Sequence, residues 1–288
     1  GGKGMTEKQS NLVTRTITGV LFVAIMVCGF LRPEAMIFLF ALITGMAIWE
    51  YCGLVSDIEG GSVNRFISTV AGVYFFIAVA AWRSGIVTNF VIFVPYLLTV
   101  IYLFASELYL KNENPVHDWA YTMLSQMFIA LPLSMINILA FDVQSDGFVH
   151  YDMMIPLMLF VFLWVNDSGA YCSGSLFGRH KLFPRISPGK TWEGSIGGGI
   201  LVLIVAVVVG YLLGDGHTLS IPMWMGLGLV VVVFGTLGDL VESLFKRTLG
   251  IKDSGNILPG HGGILDRFDS SLMAIPAAVV YIYTLQLF

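Results

Sequence analysis

The sequence predicts an all-α integral membrane protein of about nine transmembrane helices, with the N-terminus inside and the C-terminus outside. Three observations carry that expectation. The chain is 56% hydrophobic and 12% charged, with a mean hydropathy of +0.82. That charged share is about half of what soluble domains carry. The apolar residues also run on continuously instead of alternating, which suits helices crossing about 30 Å of hydrocarbon and not the strands of a barrel. Finally, the basic residues fall almost entirely on one side.

Taken in order, the apolar segments are 16–31, 35–55, 66–82, 86–106, 119–141, 152–172, 194–213, 221–245 and 270–287. The first is short enough to be tilted or only partly inserted, and several others are interrupted by Gly or Pro. Each is expected to be helical, because a backbone in lipid must satisfy its polar groups within its own segment. With the N-terminus inside, the inner segments hold Lys3, Lys8, Arg15, Arg65, Lys111, Arg179, Lys181, Arg185, Lys190, Lys246, Arg247, Lys252 and Arg267. The outer loops hold only Arg32 and Arg83. Thirteen against two, or twelve against two without Lys3 of the N-terminal scar, is a strong inside bias, and an error of one span would scramble it.

Gly1 to Gly4 read as a cloning scar, residues 5–150 as a transmembrane scaffold, and 151–288 as the region that carries the chemistry. Cys28, Cys52 and Cys172 lie in or beside apolar runs and show neither metal spacing nor a disulfide framework. The net charge of −4 says little in such a chain, and nothing in it points to nucleic acid.

The candidate chemistry sits in three clusters. In the eighth segment Asp239, Glu242, Ser243 and Lys246 are spaced i, i+3, i+4, i+7 and share one helix face. A polar stripe at a membrane interface would explain Lys246 and Arg247. It explains Asp239 less well, because a carboxylate two turns inside a span is costly without a metal, a cationic partner or a water-filled cavity. Asp266, Asp269 and Ser270 open the ninth segment, after Gly260, His261, Gly262 and Gly263. Helix capping accounts for one of those acids. Two helices bringing carboxylates to one depth would suit a hard cation such as Mg²⁺, which is usually held by carboxylates and substrate phosphates.

The third cluster, Asn166-Asp167-Ser168-Gly169-Ala170-Tyr171, is followed by Gly178-Arg179-His180-Lys181 and by Ser187-Pro188-Gly189-Lys190-Thr191 at the start of the seventh segment. Hydroxyls and a lysine at a helix start suit phosphate, although plain capping is the alternative. No Walker loop and no Ser-His-Asp or Cys-His nucleophile system is present. Carboxylates for metal beside bases for phosphate point to phosphoryl or nucleotidyl transfer.

The run Ser243-x-x-Lys246-Arg247-x4-Lys252-Asp253-x5-Pro259-Gly260-His261-Gly262-Gly263-x-x-Asp266-Arg267-x-Asp269 resembles the signature of the phosphatidate cytidylyltransferases, or CDP-diacylglycerol synthases. The stretches around Asn166, Arg179, Lys190 and Asp239 are similar to that family too, so the likeness covers about residues 160–271. It implies transfer of a cytidylyl group from CTP to phosphatidate, giving CDP-diacylglycerol and pyrophosphate. It further implies Mg²⁺ with K⁺ as a second metal, a homodimer, and a multi-pass protein of the cytoplasmic membrane with its site facing the cytoplasm. By motif, Asp239 and Asp266 would bind metal, and Asp269, Ser243 and Lys246 would complete the catalytic set. Asn166, Asp167, Lys190, Thr191, Arg247, Lys252, Asp253, His261, Gly262, Gly263 and Arg267 would contact substrate. A related CTP-dependent lipid kinase is an alternative. A transporter is a weaker one, since its charges would line the full depth and not one end.

Overall fold

The structure is a computed structural model. It describes residues 7–58 and 60–286, with side chains from residue 9 onward. The expected cloning scar and Lys3 lie outside the described residues, as does the side chain of Lys8. Nine helical spans among the described residues are long and apolar enough to cross a bilayer, in agreement with the nine apolar runs.

The first three are single helices: α1 (Glu7–Phe30), α2 (Pro33–Ser56) and α3 (Arg65–Arg83). Pro33 opens α2 with Glu34 in its first turn, where a missing N–H costs nothing and an acid meets the positive helix end. Asn64 caps α3 by accepting from the Ile67 amide. The fourth span joins a short 3₁₀ turn, Phe90–Phe93, to α4 (Val94–Leu110), which stops where Lys111 turns left-handed at φ 53°.

The fifth span is broken. It runs through α5 (Pro115–Leu124), a π-helical turn at Ser125–Ala130, α6 (Leu131–Ser134) and α7 (Ile136–Ala140). Pro132 explains the disturbance, because its ring opposes the carbonyl four residues earlier and it offers no N–H.

A small hairpin, β1 (Phe141–Val143) with β2 (Val149–Tyr151), leads into α8 (Met154–Phe177). A second hairpin, β3 (Lys181–Phe183) with β4 (Ser187–Thr191), delivers the chain to α9 (Trp192–Leu213). The last two spans are α10 (Ile221–Thr248) and the pair α11 (Ile264–Phe268) and α12 (Ser271–Leu285).

The stretch 246–269, between the eighth and ninth apolar runs, is therefore only partly a loop. The eighth helix continues through Arg247, and Arg267 lies on a helical turn that opens the ninth span. The stretch 173–192 is likewise part helix and part hairpin.

Small residues set the packing of the spans that carry the clusters. Gly169 of α8 lies against Gly198 of α9, where an added Cβ would sit 3.0 Å from the Gly198 Cα. Gly194 likewise leaves only 2.8 Å to the Ala170 carbonyl. Backbones that approach this closely gain dispersion contacts, which replace the hydrophobic drive missing in lipid. Aromatic rings tie the two halves together. Phe268 of α11 packs 5.7 Å from Phe22, 6.0 Å from Phe160 and 6.3 Å from Phe40, ring centre to ring centre. Each such pair contributes about 0.5–1.5 kcal/mol beyond buried area. Together they clamp α11 against α1, α2 and α8.

Candidate active site

Two features of the sequence bring the acids together. The ninth span has a break in its helical hydrogen bonding at Asp269 and Ser270, between α11 and α12, although both residues keep right-handed helical dihedrals. Gly238 of α10 lets that break press on the helix. A Cβ at 238 would sit 2.7 Å from the Asp269 carbonyl oxygen and 3.0 Å from that of Ser270. Asp239, one residue further along α10, thereby meets Asp269.

Asp239, Glu242 and Asp269 place carboxylate oxygens within 4.8 Å of one another. Lys190 reaches across from β4 to Asp239 at 2.5 Å. Lys246, one turn beyond Glu242, lies 3.3 Å from Glu242 and 2.8 Å from Asp266. Glu242 is 1% exposed, and neither of its carboxylate oxygens receives an aligned hydrogen bond. Lys246 supports it as an ion pair only.

Four carboxylates thus face two lysines, which leaves a formal surplus of two negative charges. The other charges on the wall of the adjoining cavity, Arg15, Lys252 and Arg267 against Asp167 and Asp253, add a net of one positive, so the acids stay in excess by one. An oxygen-only donor set with acids in excess and a buried acid lacking donors fits a hard divalent cation. Asp239, Glu242 and Asp269 are the residues placed to hold one.

Asp266 is engaged differently. Its Oδ2 accepts from the Gly263 amide at 2.8 Å and the Ser254 amide at 2.9 Å, and its Oδ1 accepts from Lys246. The turn that makes this possible needs glycine at 260 and 262, where φ is +73° and +80°. From α1, Arg15 donates Nε to the Gly260 carbonyl at 3.1 Å. From α2, the buried Glu50 accepts from the amides of Ile264 at 3.0 Å and Leu265 at 3.1 Å, and from the Ser254 hydroxyl.

The β3–β4 hairpin is fixed at its open end by Glu193. Its carboxylate accepts from the Arg179 amide at 3.1 Å and the His180 amide at 3.2 Å, and its Oε1 lies 2.5 Å from His180 Nδ1. Thr191 caps α9 by accepting from the Gly194 amide at 3.1 Å. That anchoring is what delivers Lys190 to Asp239.

Two cavities meet at the acids. One of about 620 Å³ is polar, bounded by Arg15, Lys246, Lys252, Asp253, His261, Arg267 and the carboxylates Asp167, Asp239, Asp266 and Asp269. The other, about 150 Å³, is walled by Phe22 and Val23 of α1 and Phe160, Leu163 and Trp164 of α8. It ends on Asp167, His261, Asp266, Arg267 and Asp269. A charged chamber and a smaller cavity with one aromatic and aliphatic wall therefore converge on the same side chains. His261 lies outside the spans, and burial together with the nearby Arg267 and Arg15 holds its imidazole below the usual histidine range.

Most residues expected from the sequence gather here. Asp239, Asp266, Asp269, Lys246, Asp167, Lys252, Asp253, His261, Gly262 and Arg267 line the 620 Å³ cavity. Lys190 joins them through Asp239, and with Asn166, Asp167 and Thr191 it lines a separate space of about 200 Å³. Ser243, Gly263 and Arg247 are not on the large cavity's wall. Gly263 packs on Glu50, and Arg247 donates Nε to the Ile186 carbonyl of the hairpin at 3.4 Å. Sequence reasoning missed Glu50, Arg15 and Ser254. The signal for Glu50 was present, since it is an acid inside an apolar run like Asp239.

Residues 13–285 match the model of the cytidylyltransferase family. The phosphatidate cytidylyltransferase of Staphylococcus haemolyticus is 36% identical over 264 residues, 91% of this chain and 95% of the relative. That of Staphylococcus epidermidis is 34% identical over the same shares. The Staphylococcus aureus protein of the same name is 42% identical over 166 residues, 58% of this chain and 60% of that one. With a match that spans the fold and the acids alike, the chain belongs to the cytidylyltransferase family.

Proposed function

We propose that this protein transfers a cytidylyl group from CTP to phosphatidate, giving CDP-diacylglycerol and pyrophosphate for phospholipid synthesis, at the cytoplasmic face of the inner membrane. The names of its relatives support the substrates. The observation that carries the reading is the meeting, at one set of carboxylates, of a charged chamber and a smaller cavity with an aromatic and aliphatic wall from α1 and α8. CTP needs the first and a diacyl phosphate the second. The cytoplasmic orientation rests on the thirteen-to-two bias of basic residues.

A phosphate oxygen of phosphatidate forms a bond to the α-phosphorus of CTP. The bond from that phosphorus to the bridging oxygen breaks, and pyrophosphate leaves with the electron pair. No proton moves, so no general base is needed. What the reaction needs is alignment and relief of repulsion between two anions. Arg267, which borders both cavities, is placed to take the lipid phosphate, and His261 shares that wall. Lys252, Lys246 and Arg15 are placed along the chamber for the triphosphate. Lys190 holds Asp239 and is within reach of a phosphate arriving there.

Asp239, Glu242 and Asp269 would hold Mg²⁺, and Asp266 would keep Lys246 and the glycine turn in place or join a second cation such as K⁺. A bound cation at such a site neutralises charge on the phosphates in the transition state. The homodimer implied by the resemblance belongs to the same reading, and light scattering of the solubilised protein checks it.

The test uses purified protein with phosphatidate and CTP labelled at the α-phosphate, with Mg²⁺ or with chelator. Label in the lipid and release of pyrophosphate, both lost with chelator, are expected. Transfer of the γ-phosphate with release of CDP would replace this reading with the lipid kinase.

A further inference from the structure

We infer that Glu50, on α2, is a positioning residue for the transfer reaction: its carboxylate fixes the 254–265 segment, which sets Asp266 in place and, through it, Lys246 of α10. This inference rests on the proposed function for the chemistry it serves, though not for its geometry.

Glu50 is 7% exposed and accepts from three donors, two of them backbone amides of α11. Ser254 is the connecting piece. Its hydroxyl donates to Glu50, and its amide donates to Asp266 Oδ2 at 2.9 Å. Asp266 in turn accepts from Lys246 at 2.8 Å. A continuous chain of charge-assisted bonds therefore runs from the N-terminal helices to the lysine on the cavity wall, and such bonds are stronger than neutral ones.

Two glycines make room for it. A Cβ on Gly255 would sit 2.7 Å from Glu50 Oε2, and one on Gly263 would overlap the same carboxylate. Gly263 has φ −89°, which any residue adopts, so the approach of Glu50 and not the backbone demands glycine there. Glu50 touches neither cavity, so it acts only through what it holds.

Glu50→Gln keeps the shape but turns an NH₂ toward the Ile264 or Leu265 amide. In the full-length protein, kcat is expected to fall about 10- to 100-fold, as for other outer partners of a site, with KM for CTP unchanged. Adding Ser254→Ala to it should cost little more, because both act through one chain of bonds. Amide exchange in the 254–266 segment should rise in Glu50→Gln, a readout independent of substrate. If Glu50→Gln does not fold, Ser254→Ala alone keeps the carboxylate and must show the same fall in kcat at constant KM. Unchanged kcat, a rise in KM with kcat held, or independent losses in the double variant would overturn the assignment. An inactive wild-type protein would count against the proposed function, while the exchange result would still stand or fall for Glu50 alone.

Discussion

The region around Glu50 and the region around Glu242 treat the same side chain in opposite ways. Glu50 is 7% exposed and Glu242 1%, so both carboxylates are buried. Glu50 accepts from three donors. Glu242 has a lysine at 3.3 Å and two other acids in its cluster, and no aligned donor. Burying an acid is costly unless its lone pairs are filled. The first region meets that requirement with its own backbone and is structural. The second leaves it open, and the open requirement marks where a cation and phosphates belong. Surplus, more than burial, separates a working acid from a supporting one.

The comparison breaks most sharply at Asp239. Asp239→Asn keeps size and position but removes one of the clustered charges and the ion pair with Lys190. Cytidylyl transfer is expected to drop about 10³-fold, the scale of losing a preorganised electrostatic element. Product formation measured on monodisperse protein checks it, and near-normal turnover would remove Asp239 from the site.

Glu242→Gln sharpens it further, because activity and stability should move apart. Activity should fall about 10²-fold. With chelator present, the variant should unfold at a higher temperature than the wild type, since it relieves repulsion in a buried acidic cluster. Mg²⁺ should then raise the wild-type midpoint and leave that of the variant nearly fixed. Glu50→Gln should lower the midpoint under the same conditions. Two Glu→Gln changes at similar burial would thus shift stability in opposite directions.

Much of this was legible in the sequence, for identifiable reasons. Lipid demands long apolar runs, so the nine spans showed themselves. Acids in apolar surroundings stand out, so Asp239, Asp266 and Asp269 did as well. Glu50 broke the same rule within 35–55, but its partners lie 204 to 215 positions away, and most are backbone amides with no side-chain pattern to follow. Glu242 was placed on the right helix face, yet its lack of donors is a property of packing alone. The β3–β4 hairpin and the five-residue α11 are too short for periodicity to report.

A milder perturbation acts on geometry without touching charge. Gly238→Ala puts a methyl 2.7 Å from the Asp269 carbonyl and must push the 269–270 break away from α10. The three carboxylates then separate. Activity should fall about 10-fold, the price of a misplacement well under 1 Å, and the Mg²⁺ concentration for half-maximal rate should rise. A changed rate with an unchanged Mg²⁺ requirement would detach Asp269 from the cation site.

The smallest effect is expected at His261, which borders both cavities but belongs to neither glutamate's region. Burial, with Arg267 and Arg15 nearby, lowers its pKa, so the folded protein takes up a proton there less readily than the unfolded chain. Above about pH 6.5 both states are neutral at this residue and it contributes no pH dependence. As pH falls below that value the unfolded chain gains the proton first, and folding stability drops until the folded imidazole also titrates. His261→Gln removes this loss. The variant should match the wild type in thermal midpoint at pH 8 and exceed it at pH 5.5, while activity at pH 8 changes only about two- to threefold. A midpoint difference that is the same at both pH values would mean that the imidazole does not carry the pH dependence, and that His261 serves the cavity by shape alone.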